Sequence, residues 1–97
     1  MIRRGEGQRC VENEILAEKA SALGRAGERL EAALAELHAA ARALADTRDE
    51  SRRAAYRAAR ERARTARLHL LIQREAVGLR NHRVVDQQFP EPSPPWL

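Results

Sequence analysis

Leucine returns at every seventh position along the first half of this chain, at Leu16, Leu23, Leu30, Leu37 and Leu44, and no proline interrupts the run from Val11 to Ala45. Ala20, Gly27, Leu34 and Ala41 fall between them and complete an alternating four-three spacing. On a helix of 3.6 residues per turn that spacing makes one apolar stripe, the seam of a coiled coil. A helix of this kind has to bury its stripe, so the chain must supply a second helix or borrow one.

The pattern breaks at "ADTRDES". Thr47 and Glu50 have capping-box spacing, and Asp46 and Asp49 add the acids that the start of a helix favours. The competing reading is one continuous helix to residue 80. A turn is preferred because it separates two arms of nearly equal length, each roughly 50 Å at 1.5 Å per residue. The second arm has its own seam, Tyr56, Ala59, Ala63, Ala66, Leu70, Gln73 and Val77. Folding the chain at the break sets Leu37 opposite Tyr56, Leu34 opposite Ala59, Leu30 opposite Ala63, Gly27 opposite Ala66, Leu23 opposite Leu70 and Leu16 opposite Val77. Large residues then face small ones, as interdigitating layers require. Gly27 on the seam suggests a close backbone approach, and Gln73 is a polar residue that can fix register.

The expected organisation is a flexible head (1–10), a helical hairpin (11–80: helix 11–45, turn 46–48, helix 48–80) and a tail (81–97). Asn81 reads as the left-handed stop of the second helix. Pro90, Pro92, Pro94 and Pro95 make the tail extended or polyproline-like, with PxxP at 92–95 followed by Trp96.

Composition limits what the hairpin can do alone. Leu, Val, Ile and Phe number 11, 4, 3 and 1, which is 19 of 97 residues, and Tyr and Trp occur once each. A core this thin and alanine-rich invites a second copy. "LHLLIQREAVGL" is apolar on more than one side, and Ile15 gives the first helix a second apolar face. Ile15, Leu68, Leu71, Ile72 and Leu79 are therefore the expected dimer contact, at the end far from the turn. The fold class is all-α: a two-helix antiparallel hairpin that dimerises into a four-helix bundle.

Seven arginines and one glutamate lie between Arg52 and Arg67. Arg53, Arg57, Arg60, Arg64 and Arg67 form a row on one flank that continues to Arg74. Within the hairpin the row meets only Glu31 opposite Arg60, and Glu28 near Arg64 and Arg67. The remaining arginines can be a solvated face matched by Glu12, Glu14 or Glu18 of a second subunit or by Asp86 and Glu91 of the tail. Alternatively they bind nucleic acid or another polyanion, although no aromatic residues are interleaved with them. Gripping a small dicarboxylate in a helical-bundle enzyme is the remaining use, and no apolar pocket is evident among so many alanines.

Other chemistry finds no footing. His38, His69 and His82 lack metal-binding spacing, and no nucleophile triad or phosphate-binding loop is present. Neither a catalytic residue nor a cofactor is expected. The single Cys10 excludes an internal disulfide. No stretch is apolar enough to span a membrane, and the head lacks the apolar run of a secretory signal, which points to the cytoplasm.

"NEILAEKASALGRAGERLEAAL" and "LLIQREAVGLRNHR", with Arg74, Glu75, Ala76, Gly78, Leu79, Arg80 and His82, resemble a set of small, uncharacterised helical proteins of proteobacteria. The resemblance covers residues 13 to 83 and implies a bacterial helical protein without assigned activity. The expected function is that of a non-enzymatic interaction or scaffold protein whose partner is a second copy or another protein. Nucleic-acid binding through the arginine row is the alternative.

Overall fold

The computed structural model describes residues 4–92, with side chains from Cys10 onward. Three helices follow in order: α1, Arg4–Asp46; α2, Glu50–Ala76; and α3, Arg83–Gln88. The two long helices pack against each other as an antiparallel hairpin in a rod of 69 × 23 × 14 Å.

The arms are unequal, unlike the closed hairpin expected from the sequence. α1 has 43 residues and α2 has 27, about 64 and 40 Å at 1.5 Å per residue. The helix starts well inside the expected flexible head, at Arg4, and runs through Gly5 and Gly7. α2 stops early because Gly78 takes φ +90, the left-handed conformation that glycine reaches without a Cβ clash. The Gly78 and Leu79 N–H groups donate to the Glu75 and Arg74 carbonyls at 3.0 and 2.9 Å, which is the Schellman closure. Asn81 is not the stop. Its side chain accepts from the Arg83 N–H at 3.0 Å and leads the chain into α3.

The turn spans residues 47–49, and the N-cap of α2 is Asp49 rather than Thr47. The Asp49 carboxylate accepts from the Arg52 N–H at 2.8 Å and from its guanidinium at 2.6 Å. The backbone bond, then the Arg52 charge, holds its pKa below the ordinary carboxylate value, and Arg57 does the same for Glu50. Depressed folded values contribute stability above the unfolded-state pKa that is lost as pH falls through the folded one. Asp49→Ala should therefore lower the Tm by several degrees at pH 7. Its deficit against wild type should shrink below about pH 4, as thermal scans across pH would show.

The core forms two clusters. Near the turn, Leu37, Leu44, Tyr56, Ala59 and Ala63 are buried against Ala33, Leu34, Ala40 and Ala41. Further along, Ala26, Leu30, Leu70 and Val85 are buried with Leu23, Leu34, Ala66, Leu71 and Phe89 around them. Of the expected facing pairs, Leu37 with Tyr56, Leu34 with Ala59 and Leu23 with Leu70 share a cluster, whereas Leu30 and Ala63 are divided between the two.

Gly27 marks no close approach. A Cβ at Gly24 or Gly27 would meet no atom within 4 Å, and the residue that faces α2 is Ala26, 1% exposed. Gly27→Ala should raise stability by about 1 kcal/mol, the helix-propensity difference. Gly78→Ala should lower it, because an L side chain is strained at that φ. Chemical denaturation of the two variants would give opposite shifts in midpoint.

Candidate functional site

The arginine row runs along α2, and the structure shows what faces it. After the Gly78 turn the chain folds back over the hairpin. Val85, 3% exposed, enters the second core cluster and Phe89 packs beside it. The tail was expected to be extended throughout, yet residues 83–88 are helical, since Val85 and Phe89 lie four apart and share one face. Pro92 is buried, and Pro90 and Pro92 line a groove with Leu34, Leu37, His38, Ala41 and Tyr56.

The returning segment brings acids and carbonyls to the arginines. Arg67 binds the Asp86 carboxylate and donates to the Phe89 carbonyl at 2.9 Å. Arg64 bridges Glu61 and Glu91, both at 3.1 Å, and these two carboxylates raise its pKa. Arg74 donates to the Asn81 carbonyl at 2.8 Å and to His82 Nδ1 at 3.3 Å. Because Nδ1 accepts, the proton belongs on Nε2, which donates to Glu75 at 3.1 Å.

The rest of the row is paired along α2. Arg53 and Arg57 contact Glu50 at 3.7 and 2.8 Å, and Arg60 contacts Glu61 at 3.4 Å. Arg62 reaches across to Glu36 on α1 at 3.3 Å. Arg64 and Arg67 turn to the tail rather than to Glu28. Each of the five candidate anion-binding arginines thus has an acidic partner in its own chain. Screened, mostly half-exposed pairs of this kind contribute little individually. Arg67, with its side chain 15% exposed and two ligands on the tail, is the best fixed.

The candidate association residues lie elsewhere. Leu23 and Leu34 are partly buried and Val77 is intermediate, whereas Leu16 is 58% exposed. Leu16 is not a hairpin seam contact, because α2 ends before reaching it. Ile15, Leu68, Ile72 and Leu79 are exposed by 44–55%, and Val11 and Val84 join them. Leu71 differs from its companions, being partly buried against the second core cluster. Sequence reasoning missed Val11 and Val84. Val11 was legible as the residue four before Ile15, whereas Val84 gains meaning only through α3.

Among the described residues, no group of three or more His, Cys, Asp and Glu could hold a metal, and no helix is long and apolar enough to cross a membrane. Cys10 is exposed. The PxxP motif and Trp96 extend outside the described residues.

A helical hairpin with an arginine-latched tail and an apolar end defines a small all-α protein. The chain belongs to a family of unknown function (DUF6665), which it matches over residues 1–94. No curated protein and no solved structure matches it.

Proposed function

We propose that this is a non-enzymatic, cytoplasmic bacterial interaction or scaffold protein that works as a homodimer, its two hairpins joining into a four-helix arrangement. The observation that carries the proposal is the end of the rod far from the turn. α1 continues beyond α2 with Val11, Ile15 and Leu16 exposed by 55%, 47% and 58%, and in the last turns of α2 and just after it Ile72 is exposed by 50% and Leu79 by 44%. So many large apolar side chains at one end of a small chain mark an association surface. An unsupported helix of this length is also marginal in water, which gives the overhang a need for a partner.

Sedimentation equilibrium should show a dimer at micromolar concentration. Ile15→Glu combined with Ile72→Glu should drive it to monomer without loss of α2 helicity. A wild-type chain that stays monomeric up to about 100 μM, well above a micromolar Kd, would overturn the proposal.

The alternative, nucleic acid or another polyanion on the row from Arg53 to Arg67, requires phosphates to displace Glu50, Glu61, Asp86 and Glu91. Fluorescence anisotropy with duplex DNA and single-stranded RNA distinguishes it. Binding that falls steeply with salt and vanishes when the row becomes glutamine would favour it.

A further inference from the structure

The apolar stripe of α1 does not stop where α2 stops. At 100° per residue, Leu16 and Ile15 fall on either side of the direction set by Ala26, Leu30 and Leu37, which all face α2. Glu12 and Lys19 lie in the middle of that stripe, two heptads and one heptad before Ala26. They occupy the place that buried residues hold further along. Both are exposed, and neither forms an ion pair among the described residues. Two opposite charges at the centre of an apolar stripe specify register when the facing helix supplies their complements.

A second copy supplies them. Place two α1 overhangs antiparallel with the two-fold axis between residues 15 and 16. Ile15 then stands level with Leu16 of the second copy, and Glu12 faces Lys19. Symmetry makes the charge pair twice. Residues 4–9 then lie level with residues 22–27 of the other copy, where α2 already covers Ala26, so the two overhangs cross at an angle that carries these first turns alongside the end of that α2. There Ile72 and Leu79 are exposed, and Ile15, Ala22 and Gln73 line an open groove. From this we infer that the overhang is a self-pairing element: two chains join head to head through an antiparallel α1–α1 crossing centred on Ile15 and Leu16, with reciprocal Glu12–Lys19 ion pairs fixing the register.

This inference rests on the homodimer proposed above, and the two fail separately. Glu12→Lys and Lys19→Glu should each weaken the dimer at least about 10-fold at 0.15 M salt, because each change juxtaposes like charges twice. The combined exchange, Glu12→Lys with Lys19→Glu, should return the dimer constant to within about 3-fold, as a reciprocal charge pair does. Position-specific cross-linking gives the geometry. Cys10 lies on the side of α1 opposite the stripe and is replaced by Ser. In that background Leu16→Cys should form an inter-chain disulfide, because the two copies of residue 16 lie across the axis from each other. Val11→Cys should not, because its two copies are displaced by about 14 Å along the helix.

Disulfides at both positions would mean parallel overhangs and overturn the inference. So would a stable dimer indifferent to the single reversals, which would place the interface elsewhere while leaving the homodimer intact. Monomeric wild-type protein overturns both.

Discussion

Leu30→Ala should produce the largest loss of stability of any core truncation in this chain. Leu30 is 1% exposed and is the largest side chain that is fully buried. It sits where the three elements meet, in the cluster with Ala26 of α1, Leu70 of α2 and Val85 of α3. Ala26 and Ala66 are too short to fill the space, and Leu70 and Val85 are themselves buried in the same cluster, so a large part of the cavity should persist. A buried Leu→Ala costs about 2–5 kcal/mol, with the upper part of that range applying where a site cannot collapse. For a domain of this size each kcal/mol moves the Tm by about 4–8 °C, so a fall of about 15 °C or more is expected. Leu30→Met, which conserves volume, should cost less than about 1.5 kcal/mol and keeps the prediction testable if the alanine variant fails to fold. Leu16→Ala is the matched contrast. That side chain is 58% exposed, so its effect on the Tm should appear only as a dependence on protein concentration. A Tm for Leu30→Ala within about 4 °C of wild type, equivalent to less than 1 kcal/mol, would show that the second cluster is not the stabilising one.

Leucine periodicity made the two long helices and their antiparallel packing legible. Leu30, Leu37 and Leu44 lie at seven-residue steps and are all buried. Periodicity alone could not say where the partner helix ends. That depended on Gly78, whose placement in "AVGL" suits a helix stop at least as well as Asn81 does. Because α2 ends there, Leu16 continues the stripe but not the hairpin. Gly27 shows the opposite limit. Its position in the four-three pattern is sound, yet one residue's rotation, about 100°, makes Ala26 the buried neighbour in the second cluster. The six residues of α3 contain too little periodicity to be read against the prolines that follow them. The partners of Arg64 and Arg67 lie 27 and 19 residues away. Asp86 and Glu91 can be named from the sequence as available acids, but only the return path of the chain pairs them with particular arginines.

That return path yields the second large effect. A six-residue helix cannot sustain itself in water, so α3 exists because Val85 is buried, Phe89 packs partly buried beside it, and the arginines hold its two ends. The relative weight of these causes follows from their exposure. The Arg64–Glu91 pair is half-exposed, with side chains at 43% and 59%, and salt should screen it. Val85 is 3% exposed, and fully burying its side chain contributes about 1.5–3 kcal/mol whatever the salt. The readouts are the Asp86 N–H, bonded to the His82 carbonyl at 3.0 Å, and the Phe89 N–H, bonded to the Val85 carbonyl at 2.7 Å. In 1 M NaCl both amides should keep most of their protection from hydrogen exchange. In Val85→Asp a carboxylate would have to enter the apolar cluster without a partner, so the segment should detach. Exchange at both amides should then accelerate by about 30–100-fold, the equivalent of 2–3 kcal/mol. Leu30, Leu70 and Leu71 would be uncovered, and the Tm should fall with them. If salt alone opened the segment while Val85→Asp left it closed, the arginines rather than the core would be what holds it.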